Sequence, residues 1–213
     1  MYNPPAFEES RLPILHEAIR ATRLATLVTF GAEGIIASHL PIILDAADGP
    51  FGSIRGHLAR ANPQWREITP EVPALAIFPG PDAYISPSWY ATKQQSGKVV
   101  PTWNYVAVHA YGTIEFFDDP DQLRAIVTDL TLLHEEARPD PWAVTDAPPE
   151  FIRAQLKGIV GFRLPIARLE GKWKLSQNRS DEDRAGVICG LKELGRPAET
   201  AIADPMAKNR PTN

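Results

Sequence analysis

One cysteine in 213 residues, Cys189, excludes an intramolecular disulfide and any paired-cysteine metal site. It lies within the apolar helical pattern Gly186-Val187-Ile188-Cys189-Gly190-Leu191, where a thiol is expected to be buried and inert. Long hydrophobic runs are missing as well. None approaches the roughly 20 residues that span a bilayer, and Met1-Tyr2-Asn3-Pro4-Pro5 lacks the basic and apolar regions of a signal peptide, so the expected location is the cytoplasm. Positive charge is not in excess. A net charge of −4 withholds the field that supplies most non-specific DNA affinity, and no segment reads as a helix-turn-helix with a basic recognition helix. DNA binding therefore has no support from charge or motif. The histidines His16, His39, His57, His109 and His134 are scattered, without the spacing of a metal site, so no metal is expected. A nucleophile elbow, a Walker loop and a dinucleotide fingerprint are all absent, which leaves hydrolase and P-loop readings without support.

What is present is the mixture of an ordinary globular protein, 44% hydrophobic and 23% charged. The length fits one domain, residues 1–195, with helical additions, followed by a flexible tail over 196–213. Ser10 is placed to cap a first helix. Residues 24–30 and 35–44 then read as a hairpin around the turn Gly31-Ala32-Glu33-Gly34, with Pro41 marking an edge or bulge. Further strands are predicted over 51–58, 74–78, 84–86, 104–117 and 160–169. Asp119-Pro120 opens a helix with a buried stripe at Leu123, Ile126, Val127, Leu130 and Leu133, and another helix starts near Pro149. Ser180-Asp181-Glu182-Asp183 has the form of a capping box before a last helix stopped by Gly195. The pattern predicts a mainly β protein with flanking helices, its antiparallel strands forming a closed or partly closed barrel.

Four segments carry more polar and aromatic chemistry than a core needs. In Arg55-Gly56-His57-Leu58-Ala59-Arg60-Ala61-Asn62-Pro63, a strand end runs into a short turn. There Arg55 and His57 either bind a phosphate while Asn62 holds the turn, or serve as a surface cation and a strand histidine. Ser86, Ser88, Lys93 and Lys98 either donate to a dianion or are turn residues. Trp89, Tyr90, Trp103 and Tyr105 either stack on a flat ring or fill a dimer interface. In Glu170-Gly171-Lys172-Trp173-Lys174-Leu175-Ser176-Gln177-Asn178-Arg179, the residues Lys174, Gln177 and Asn178 are placed to meet a ligand's polar edge.

These segments, together with Gly80-Pro81-Asp82-Ala83-Tyr84-Ile85-Ser86-Pro87-Ser88-Trp89-Tyr90 and Gly97-Lys98-Val99-Val100-Pro101-Thr102-Trp103-Asn104-Tyr105, occur in an order that resembles the PaiB family of FMN-binding negative transcriptional regulators. The resemblance implies an FMN-binding split barrel, antiparallel and six-stranded in the Greek-key manner, assembled as a homodimer with FMN at the subunit interface. It implies His57 as a phosphate contact with Arg55 as its partner, and Ser86, Ser88 and Thr102 as hydroxyl donors. Trp103 and Asn104 would neighbour the flavin, and His39 would line the pocket. The same fold is similar to pyridoxamine phosphate oxidases and flavin reductases, so a flavin-dependent oxidoreductase is the alternative function. No residue stands out as a catalytic acid or base, because a flavin itself carries redox chemistry.

Overall fold

The computed structural model describes residues 1–208. In chain order it contains β1 (Glu8–Glu9), α1 (Leu12–Ala21), β2 (Leu24–Gly31), β3 (Gly34–Asp45), β4 (Ser53–Ala59), β5 (Ala74–Ile85), α2 (Ala91–Ser96), β6 (Thr102–Gly112) and β7 (Glu115–Phe117). Then follow α3 (Pro120–Glu135), α4 (Pro149–Leu156), β8 (Ile159–Pro165), β9 (Arg168–Lys174), α5 (Asp181–Leu194) and α6 (Pro197–Lys208). The strands form a nine-stranded sheet in the order β1-β9-β6-β5-β2-β3-β4-β8-β7. Antiparallel strands with flanking helices are as expected, but the six-stranded barrel is not: nine strands lie in an open sheet. One added strand, β1, has two residues and is too short to show a period-two pattern. Another arises because the strand expected over 104–117 breaks after Gly112 into β6 and β7. A third arises because the segment expected as one strand over 160–169 turns after Pro165 and becomes β8 and β9. Conversely, the two short strands expected around Gly80 are one, β5.

The chain divides into two compact units. The larger comprises 15–78 and 109–169. Its β2–β3 hairpin pairs from Leu24 with Pro41 to Gly31 with Gly34, and β3 then changes partner, pairing with β4 from Ile42 onward. Pro41 stands at that changeover, where its missing N–H disrupts neither ladder. β4 pairs with β8 along its whole length, and Ile54, Leu58, Phe162 and Leu164 are buried. Arg55 and His57 alternate with these residues and so point to the opposite side of the strand. α3 begins as predicted: Asp119 Oδ1 accepts from Gln122 N at 2.9 Å, and Pro120 takes the first turn. Its Leu123 joins Val144, Ile152 and Leu156 in one cluster.

The smaller unit comprises 1–14, 79–108 and the residues from Glu170. Ile85, Tyr90, Leu175, Val187, Leu191, Ile202 and Met206 build its core. α5 starts at Ser180, which accepts from Asp183 N, and ends at Gly195 with φ 63°. The expected capping box is only half made, because Asp183 turns away to accept from Thr92 N and Oγ1, each at 2.9 Å. A close approach replaces it as the main constraint on this helix: a Cβ at Gly186 would meet the Trp89 carbonyl, and one at Gly190 would enter the Trp89 ring. Trp89 is thus half-buried against α5. The flexible tail expected from residue 196 is instead a helix through Lys208, with Ile202, Ala203 and Met206 fully buried; the remaining five residues of that tail lie outside the described ones. Cys189 is exposed, not buried. It sits off the face carrying Val187 and Leu191, and its thiol bonds Glu193 Oε1 at 3.3 Å, which pushes its pKa up and favours the unreactive protonated form.

Candidate functional site

In the larger unit, β4 carries the first group. Arg55 and His57 are both partly buried on one side of the strand, two residues apart. Arg55 Nη2 lies 3.3 Å from Asp129 Oδ2, whereas its Nε is buried without a hydrogen-bond partner. His57 Nδ1 is likewise buried and unpartnered, and burial holds the imidazole below its ordinary pKa. Two unsatisfied nitrogens close together on one strand face are unusual, since each costs about 1–3 kcal/mol when nothing accepts from or donates to it. Opposite Arg55 on β8 stands Arg163. It is engaged with Asp48 at 2.7 Å and with Glu115 at 3.4 Å. Ser53 and then Arg163 hold the Asp48 carboxyl below the usual range.

The other expected residues of this unit are occupied locally. Asn62 Oδ1 accepts from Gln64 N at 3.0 Å and caps the turn Pro63–Trp65, while its Nδ2 donates to Ser38 Oγ at 2.8 Å. His39 is exposed and bonds Thr26 Oγ1 across the hairpin at 3.0 Å. A positioning residue went unnoticed in the sequence. Gln64, with no exposed surface, donates from Nε2 to the carbonyls of Leu27 and Ile36 and to Thr29 Oγ1, tying the segment after β4 to the hairpin. Its only signal was a polar residue following Asn62-Pro63.

In the smaller unit, Thr102, Trp103 and Lys174 come together. Lys174 Nζ donates to Thr102 Oγ1 at 2.5 Å and to the Trp103 carbonyl. Burial first, then the neighbouring Lys172 and Arg179, push the Lys174 pKa down. Lys172 was absent from the expected set, although its i, i+2 spacing from Lys174 on a strand puts both on one face. It is buried between the rings of Tyr2 and Tyr105, at 5.5 and 5.3 Å. None of these three cations pairs with a carboxylate among the described residues. The Trp103 ring is exposed and meets Tyr84 edge-on, 6.0 Å between centroids.

Ser86, Ser88, Asn104 and Gln177 are engaged within the protein. Ser86 caps the turn Pro87–Trp89, and Ser88 Oγ accepts from Lys93 Nζ at 3.0 Å. Asn104 is fully buried, donating to Ser176 Oγ and Met206 Sδ. Gln177 closes its own loop, accepting from Leu175 N at 2.7 Å and donating to the Trp173 carbonyl at 2.5 Å. Among the described residues no cluster of His, Cys, Asp or Glu has the arrangement of a metal site, and no helix is long and apolar enough to cross a membrane.

Comparison with known proteins adds four findings. The family model described as "Putative FMN-binding domain" matches residues 1–168. Protease synthase and sporulation protein PAI 2 of Bacillus subtilis is 34% identical over 206 residues, covering 97% of this chain and 96% of that protein. An uncharacterized protein of Aspergillus fumigatus is 36% identical over 248 residues, covering 95% of each. Among solved structures, the flavocytochrome Anf3 of Azotobacter vinelandii has a similar fold, with a TM-score of 0.54 at 15% identity over 84% of this chain and 75% of that one.

Proposed function

We infer the function from one premise: the chain belongs to the family described as "Putative FMN-binding domain" and is similar over nearly its whole length to the Bacillus subtilis sporulation protein. FMN is the cofactor that this family carries. The protein is an FMN-binding homodimer whose flavin occupancy alters the surface it presents to a regulatory partner. The observation that carries the binding reading is the pair of orphaned buried nitrogens, Arg55 Nε and His57 Nδ1, on one face of β4. A phosphomonoester supplies the acceptors these groups lack, and a guanidinium bonded to phosphate is among the stronger pairings available to a protein. Arg55 supplies the charge. His57, kept neutral by burial, supplies a hydrogen bond and gains a reason to take up a proton when a dianion lies beside it. Thr102, Trp103 and Lys174 form a separate polar locus within the smaller unit. Bound FMN supplies one- and two-electron redox chemistry.

The test is a titration of flavin-free, full-length protein. FMN is expected to bind at least tenfold tighter than riboflavin, and the Arg55→Ala, His57→Gln variant is expected to lose that preference. Equal affinity for the two flavins in the unaltered protein overturns the reading. Addition of NADH or NADPH to the loaded protein then separates the functions. A flavin that stays oxidised agrees with regulation, and bleaching at a catalytic rate assigns an oxidoreductase.

A further inference from the structure

We propose that the larger unit holds a second small-molecule site, for an amphipathic carboxylic acid whose apolar body is about one ring in size. A cavity of about 260 Å³ opens beside the start of α3 and the end of α4. Leu123 and Leu156 line it from the core, only 1% and 6% exposed. Four cations stand around it, Arg60, Arg124, Arg153 and Lys157, against the carboxylates of Asp118 and Asp121. These charges are not all available. Arg60 is fixed in the wall, 3.3 Å from Asp118 and donating to the carbonyls of Lys157 at 2.8 Å and Ile159 at 3.1 Å. Asp121 lies in the first turn of α3, where the positive end of the helix favours a carboxylate. Arg124, Arg153 and Lys157 remain, exposed and without a carboxylate partner among the described residues.

An apolar floor beneath three unpaired cations matches a ligand that has both halves. Inorganic phosphate would leave the leucines uncovered, and a neutral hydrocarbon would leave the cations unused. Size narrows the class further. An apolar cavity of about 150 Å³ admits benzene, so this one takes a ring bearing a short acid arm. None of the residues proposed to hold FMN lines the cavity. The two sites are therefore separable by experiment.

Calorimetric titration of the full-length protein with phenylacetate, phenylacetamide and acetate tests the proposal. Phenylacetate is expected to bind saturably with one site per chain, at least fivefold tighter than its neutral amide, while acetate shows no binding. The exposed charge reversals Arg124→Glu and Arg153→Glu are each expected to weaken phenylacetate at least fivefold while the circular dichroism spectrum and FMN affinity are kept. FMN loading is expected to leave phenylacetate affinity unchanged. Absence of saturable binding, equal affinity for acid and amide, indifference to both reversals, or displacement by FMN overturns the second site. None of the first three outcomes bears on whether FMN itself binds.

Discussion

His57 shows how much one side chain's surroundings change its chemistry. On an exposed strand it would titrate near 6.5, but burial on β4 favours the neutral ring and lowers its pKa. As pH falls through about 6.5, the unfolded chain takes up a proton before the folded one does, so stability is full above that value and declines as pH drops toward the folded pKa. The flavin-free protein is expected to lose stability over this window by at most about 1.4 kcal/mol per pH unit from this residue, and His57→Gln should remove that share. Urea denaturation of both proteins between pH 8 and pH 5 measures it; parallel profiles would show that the ring is solvated. Asn104 and Gln177 make the opposite point. Residues that look like ligand contacts in a polar segment have here found their partners inside the protein, Asn104 in Ser176 and Met206, Gln177 in its own loop.

At the scale of elements, α6 departs furthest from the sequence pattern. Its alanines, proline and polar residues resemble a tail, yet Ile202, Ala203 and Met206 fall on one face and are buried, and Arg184 Nη2 donates to the Met206 carbonyl at 3.1 Å. Met206→Ala is expected to destabilise the protein by about 2–5 kcal/mol, the usual cost of emptying a core site of that size. A solvated tail would register no change in the urea midpoint, so the measurement separates the two descriptions. α5 and α3 behaved as their caps foretold, because Ser180, Gly195, Asp119 and Pro120 act through neighbouring backbone groups alone. Trp89 did not. Its docking against Gly186 and Gly190 joins positions about a hundred residues apart, beyond the reach of any local pattern.

For the molecule as a whole, the exposed Tyr84 and Trp103 rings, which meet edge-on, are the feature suited to a partner. Large amphipathic aromatics are favoured at subunit interfaces, and isologous dimers are the commonest symmetric assembly. Light scattering at micromolar concentration is expected to report a dimer, and Trp103→Glu is expected to weaken it at least tenfold. A monomer that retains flavin would exclude the dimer.

Composition, caps and alternation were enough to determine a mainly antiparallel protein with flanking helices, the β2–β3 hairpin with Pro41 as a point of irregular pairing, the start of α3, and both ends of α5. These depend on interactions within a few residues of chain, and the ordered motifs were long enough to identify the family. Strand count was not legible, because a two-residue strand such as β1 exists only where β9 supplies its hydrogen bonds. Nor was the burial of Lys172, the orphaned state of Arg55 Nε and His57 Nδ1, or the cationic cavity beside α3. Whether a polar group is satisfied depends on which distant residues come within hydrogen-bond reach, and folding alone decides that.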